Sequence, residues 1–199
     1  MTTSTLRNAI VVVSGLPRSG TSMMMAMLAA GGIPPLTDNI RAPDQNNPKG
    51  YYEFERVKRL PEGDTAWLAE ARGRAVKVIS ALLTHLPPEY HYRVIFMHRH
   101  LAEVLASQRA MLASQGHAVD EAEDTMLAAA FKRHLAQVEA WLAQQPNMQV
   151  LHVHYNELLR NPETQLARID DFLGGQLNVQ AMSSVIDRAL YRQRMPETL

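Results

Sequence analysis

Four short apolar runs rich in β-branched residues are spaced along the chain, and the segments between them carry helical spacing or turn residues. Ala9–Val13 is followed by Ser14-Gly15 and has no polar alternation, the pattern of a strand buried on both faces of a parallel sheet. Ala75–Ile79, Arg93–Met97 and Gln149–Val153 read as the second, third and fourth strands. Thr21–Ala30 is an unbroken run of Met, Ala and Leu stopped by Gly31-Gly32, which predicts a helix. A second helix is predicted from about Leu101 to Ala113. Asp120-Glu-Ala-Glu123 reads as a capping box opening a long helix, whose Leu127, Phe131, Val138 and Leu142 fall on one stripe. Asn161-Pro162 predicts another helix start, with Asn as cap and Pro first, and Gly174-Gly175 its end. Ile33–Gly50 is full of Pro, Asn and Asp and reads as a long loop of the kind that carries function.

Strands alternating with helices imply an α/β fold, three layers deep, with a central parallel sheet flanked by helices and right-handed crossovers. The 199 residues suit a single domain, 1–199, with no repeat and no linker. Ligands of such sheets sit beyond the carboxyl ends of the strands.

Composition narrows the function classes. Lys plus Arg equals Asp plus Glu at 20 each, so no general attraction to nucleic acid or a membrane surface is expected, and a bound anion requires a local cluster of donors. The chain has no cysteine, which excludes disulfides, thiolate metal sites and cysteine nucleophiles, and which suits the cytoplasm. No apolar stretch is long enough to span a bilayer, and the run after Arg7 leads into a Gly/Pro turn, so no signal peptide is expected.

The segment richest in chemistry is Val11-Val-Val-Ser-Gly15-Leu-Pro17-Arg18-Ser19-Gly20-Thr21-Ser22. A strand running through a glycine turn straight into a helix gathers unpaired backbone amides and the positive helix end around one anion. Gly15 and Gly20 have the span of the G-x-x-x-x-G-K-[ST] phosphate loop, but Thr21 stands where that loop has Lys. A triphosphate would lose its main counter-charge, and Arg18 is the one cation in the turn. The plainer alternative is an ordinary tight strand-to-helix turn. A second candidate anion site is Arg99 at the end of the third strand, with Ser107 eight positions on in the following helix.

Pro17-Arg18-Ser19-Gly20-Thr21-Ser22 resembles the 5′-phosphosulfate loop of the sulfotransferases, and the strand, Arg99 and Ser107 resemble that family's 3′-phosphate grip. His100-Leu101 replaces the Asp-Pro or Asn-Pro that usually follows the arginine. Weaker similarities are Asn47-Pro48-Lys49-Gly50-Tyr51-Tyr52-Glu53, and Tyr155-Asn156-Glu157-Leu158 on to Phe172-Leu173-Gly174. The resemblance implies a P-loop sulfotransferase using 3′-phosphoadenosine 5′-phosphosulfate, with adenosine 3′,5′-bisphosphate as product. Gly15, Pro17, Arg18, Ser19, Gly20, Thr21, Ser22, Arg99 and Ser107 would bind the donor, and Arg18 would also act in catalysis. The acceptor would be a hydroxyl or amine on a small molecule or glycan. Arg188, Arg192 and Arg194 are candidates for the basic C-terminal segment that closes over the donor in many members.

A proton acceptor must come from elsewhere than the family's usual His, because Lys77-Val78-Ile79 is apolar at that position. Glu53, after the long loop, is the first candidate base, against the plainer reading of a solvated first-turn helix residue; Asp44 and His85 are the reserves. Lys77 either reaches the ligand or snorkels at a strand edge. His98 reads as a core or supporting histidine, and His152 and His154 alternate on a strand with no partner in metal-ligand spacing, so no metal is expected. Two other function classes stay open, a P-loop small-molecule kinase and a non-catalytic nucleotide-binding relative.

Overall fold

The computed structural model describes residues 6, 8–117 and 123–192; the expected capping box opening at Asp120, and Arg194, lie outside them. Four parallel strands form one sheet: β1 (Ala9–Gly15), β2 (Ala75–Lys77), β3 (His91–His98) and β4 (Met148–His154), in the order β2-β1-β3-β4. The helices are α1 (Thr21–Ala30), α2 (Leu101–Ser114), α3 (Glu123–Leu142), α4 (Tyr155–Arg160), α5 (Pro162–Phe172) and α6 (Val179–Ser184). The α/β architecture with helices on both faces of a parallel sheet is the one the strand and helix pattern implied.

Every residue of β1 is buried, and its side chains alternate between two cores. Ile10 and Val12 join Val76, Val94, Phe96 and Trp67 on one face, closed by Val138 and Leu142 of α3. Val11 and Val13 join Ile95, Met97 and Val153 on the other, under Met24, Met27 and Leu28 of α1 and Leu166 and Ile169 of α5. A strand buried on both faces has no polar side to present, which is why its sequence is a continuous apolar run.

Three boundaries depart from expectation. β2 stops at Lys77, and Ile79 takes the extended conformation that opens a 3₁₀ segment at Ser80–His85. β3 and β4 are each longer than predicted, because their polar ends pair in register, His98 opposite His154. Asn161 precedes α5 as expected, but its side chain caps nothing in the helix and donates instead to Glu157, 3.4 Å away. No helix among the described residues is long and apolar enough to cross a membrane.

Two glycines hold the turn between β1 and α1. A Cβ on Gly15 would lie 2.6 Å from both the Met97 carbonyl oxygen and Ser19 Oγ, and one on Gly20 would collide with the Tyr155 ring. Gly20 also has φ +98°, so Ala there meets both a backbone penalty and a clash. Gly63 has φ +85° with nothing within 4 Å of the added methyl. Urea unfolding should therefore show Gly20→Ala losing about 3–4 kcal/mol and Gly63→Ala only about 1 kcal/mol; equal losses would mean that Tyr155 does not pack against the turn.

Candidate functional site

The carboxyl ends of β1, β2 and β3 open onto a cavity of about 470 Å³, roofed by the loop between residues 41 and 53 and by α2. Among the described residues its lining holds seven lysines and arginines (Arg18, Arg41, Lys49, Lys58, Lys77, Arg99, Arg192) against two carboxylates, Glu53 and Asp187. A chain with no net charge therefore concentrates positive charge in one place.

The turn after β1 contributes Pro17, Arg18, Gly20, Thr21 and Ser22 to that lining. Gly20 caps α1 without a side chain, so the cap residue itself offers no acceptor to the amides of the helix's first turn. Gly15 and Ser19, two further residues of the turn motif, do not line the cavity; the Ser19 hydroxyl is buried and donates to the Leu16 carbonyl at 2.7 Å, which tightens the turn. Arg18 sits in the left-handed region at φ 70°, and Nη1 of Arg99 donates to its carbonyl at 3.1 Å. The Arg18 side chain extends to α2, where Nε donates to Ser107 Oγ at 2.9 Å and Nη2 to the Asn46 carbonyl at 3.3 Å. Burial lowers the pKa of this guanidinium below the ordinary arginine value. The two candidate anion sites thus share one polar wall.

The cation beside the start of α1 is Lys77. Register pairs Lys77 with Val13 of β1, so its side chain leaves the sheet where the turn begins. Nζ lies 3.4 Å from Ser22 Oγ, donates to the Tyr51 carbonyl and faces Glu53 Oε1 at 3.7 Å. Burial pushes its pKa down to about 8, with Glu53 opposing and Arg41 assisting the shift. Glu53 is not in a helix; it precedes the 3₁₀ segment Glu55–Glu62 and pairs with Arg41 at 2.9 Å. Arg41 in turn stacks on the Tyr51 ring, 3.4 Å from its centroid.

Arg99 and Glu103 form a buried pair at 2.9 Å, with side chains 8% and 1% exposed. Glu103 also accepts from Asn156 Nδ2 at 3.1 Å and from the Tyr191 hydroxyl at 2.5 Å, while Arg99 lies over the rings of Tyr155 and Tyr191. Tyr155 and Asn156 belong to the stretch that is weakly similar to the family, but their contacts with the Arg99–Glu103 pair, like that of Tyr191, have no local sequence signal.

The reserve bases fall elsewhere. Asp44 does not line the cavity; it accepts from the Tyr51 hydroxyl at 2.8 Å and from the amides of Asn46 and Asn47. Burial would raise its pKa, but those hydrogen bonds hold it below the ordinary carboxylate value. His85 is exposed and also away from the cavity. Of the C-terminal arginines, Arg192 lines the cavity and donates to the Gln45 carbonyl at 2.9 Å, while Arg188 donates to the Leu159 carbonyl at 3.1 Å. His152, which had no partner in sequence spacing, bonds across strands to His98 at 2.8 Å, and burial, then His152 and His154, lower His98 to about 4.

The sequence pattern of the Sulfotransferase family matches residues 46–178, a span that includes Arg99 and Ser107 and begins after the Gly15–Ser22 turn. Among solved structures, the chain resembles a sulfotransferase domain from the Synechococcus PCC 7002 olefin synthase, 18% identical, with TM-score 0.56 over 96% of this chain and 90% of that one. A sulfotransferase domain from the curacin biosynthetic pathway aligns over 83% of this chain and 73% of its own, 15% identical, with TM-score 0.45. No curated protein matches the chain.

Lys77 provides a stability signature. With its folded pKa near 8 and an ordinary value of 10.5, the unfolded chain holds a proton between those pH values that the folded chain has released, so stability rises with pH across the window. Below it the buried charge is a constant penalty. Urea unfolding should find Lys77→Met about 1–3 kcal/mol more stable than wild type near neutral pH, with the gap closing as pH rises through the window. A pH-independent gap would mean that Lys77 is not held in the cavity as a strained cation.

Proposed function

The chain belongs to the sulfotransferase family, and from that premise we propose that it transfers a sulfuryl group from 3′-phosphoadenosine 5′-phosphosulfate to a hydroxyl or amine acceptor. The observation that carries this reading is the excess of lysine and arginine around one cavity in a neutral chain. A donor with phosphates at both ends of its nucleoside needs two groups of cationic and hydroxyl donors close together. The residues fit: the uncapped first turn of α1, the hydroxyls of Thr21 and Ser22 and the Lys77 ammonium would hold the 5′ end, and Arg99 with Ser107 the 3′ end. Arg192 would cover the donor from the C-terminal side.

The donor supplies a sulfuryl group whose bond to the bridging phosphate oxygen breaks as the acceptor oxygen or nitrogen bonds sulfur. Negative charge then grows on the departing phosphate, and Arg18 and Lys77 are the cations assigned to offset it, as preorganised donors do wherever charge develops. They supply the counter-charge that a nucleotide kinase draws from its loop lysine and Mg²⁺. Glu53 is the assigned base. It lines the cavity within reach of Lys77, and Arg41 and Lys77 fix its orientation. The acceptor is a small molecule or glycan, and the cysteine-free composition favours the cytoplasm as the place of reaction.

Calorimetry should find adenosine 3′,5′-bisphosphate binding at micromolar or lower concentration without Mg²⁺, and about 10–100-fold more tightly than adenosine 5′-monophosphate. Ser107→Ala should shrink that ratio by removing one contact to the 3′ group. Stabilisation by ATP with Mg²⁺ alone would sink the proposal in favour of a kinase.

With an accepted hydroxyl substrate, Arg18→Ala should lower turnover by about 10²–10³. Glu53→Gln should lower it by about 10²–10⁴ and leave bisphosphate affinity unchanged. Wild-type turnover in Glu53→Gln would remove Glu53 from the role of base.

A further inference from the structure

Three imidazoles and a carboxylate meet at the carboxyl end of the β3–β4 pair, outside the cavity lining. Parallel register sets Phe96 opposite His152 and His98 opposite His154, so alternation sends His98, His152 and His154 to one face of the sheet. That face is the one covered by α3, where Phe96 packs with Val138 and Leu142. The His98 ring stacks on His154 at 4.9 Å between centroids and lies 5.1 Å from His152. Glu139 of α3 brings Oε1 to 3.8 Å from His98 Nε2, which itself lies 2.8 Å from His152 Nδ1. The three potential ligand atoms of His98, His152 and Glu139 all fall within 4.8 Å of one another.

We propose that His98, His152 and Glu139 form a binding site for one transition-metal dication of the zinc type, which clamps α3 onto the ends of β3 and β4. Two imidazole nitrogens and one carboxylate oxygen suit Zn²⁺, Ni²⁺ or Cu²⁺ and disfavour Mg²⁺ and Ca²⁺, which take oxygen ligands. Donors bound to one metal at about 2.0–2.1 Å lie roughly 3.0 Å apart at a right angle and about 3.4 Å apart at the tetrahedral angle. The separations of 2.8 and 3.8 Å from His98 bracket that range and no pair exceeds 4.8 Å, so rotation of the exposed His152 ring and of the Glu139 side chain, 44% exposed, is what brings all three into reach.

Both histidines coordinate as neutral imidazoles. The proton now shared between them moves to the far nitrogen of its own ring, so the step changes a tautomer and releases no proton. Three protein ligands leave the remaining positions to water. Glu139 and His152 sit on consecutive elements, whereas His98 comes from β3, which α2 and α3 separate from β4, so the metal ties β3 to the α3–β4 unit only in the folded chain.

The clamp has a defined reach. His98 is the residue before Arg99, and His134, on the same helix as Glu139, bonds to Ser80 at 2.8 Å in the 3₁₀ segment whose Leu82 lines the cavity. The test is titration of tag-free protein with ZnCl₂ by calorimetry, with Co²⁺ absorption as a second readout. One Zn²⁺ per chain is expected, unaffected by excess Mg²⁺, together with a visible Co²⁺ band that Zn²⁺ displaces.

His152→Ala should weaken binding by at least about 100-fold, more than the loss of an outer partner does, and should abolish the Co²⁺ band. Glu139→Gln, which keeps shape and removes charge, should weaken it by about 10-fold or more. His117→Ala, an exposed histidine outside the cluster, should bind like wild type. Absence of Zn²⁺ binding, or unchanged affinity in His152→Ala and Glu139→Gln, overturns the site.

Discussion

The buried pair Arg99–Glu103 is the contact on which the geometry of the cavity depends. Two charges removed from water at this depth are costly unless every lone pair and proton is matched. Here the matching is done by parts of the chain that would otherwise have no reason to meet. Arg99 reaches the carbonyl of Arg18 in the turn after β1, and Glu103 takes hydrogen bonds from Asn156 on α4 and Tyr191 beyond α6. Removing either charge would leave the other stranded and would release the turn, the α4 start and the C-terminal segment together.

The same economy explains two of the three non-glycine residues with positive φ among the described residues. Arg18 and Tyr52 each stand at or next to a carbonyl that takes a charged donor, Arg18 O from Arg99 and Tyr51 O from Lys77, while the third, Asn39, is of a type that tolerates this conformation. Unfavourable backbone of this kind persists where surrounding contacts over-determine it. Lys77 adds a second kind of strain, an ammonium held in a buried place at the expense of its own basicity. A cavity assembled from strained peptides and desolvated cations is poised to gain when an anion enters, because its dipoles and charges need not reorganise.

Much of this was legible in the chain. Ala9–Val13 announced a strand buried on both faces because no polar residue interrupts it, and Gly15 and Gly20 announced the turn because other residues cannot occupy it without collision. Lys77 was ambiguous, since a lysine at a strand end looks alike whether it snorkels or points at a ligand. The difference lies in the pairing of Lys77 with Val13, a fact of register between distant segments. The role of Tyr191 was hidden for the same reason, as was the meeting of His98 with His152, because cross-strand contact has no local sequence signature. Ser19 shows the converse: its place in the motif suggested a ligand contact, and its hydroxyl closes the turn instead.

The link between Tyr191 and Glu103 spans 88 positions of the chain. During synthesis the sheet, the turn and α2 all emerge from the ribosome before Tyr191 does, so for that interval Glu103 has the arginine and the asparagine without the phenol. The cavity therefore reaches its final form only after the layers that support it, once the segment with Tyr191 has emerged. A messenger cut short ahead of that tyrosine would yield a product with most of the apolar core and an unfinished polar wall, a species for quality-control proteases to remove.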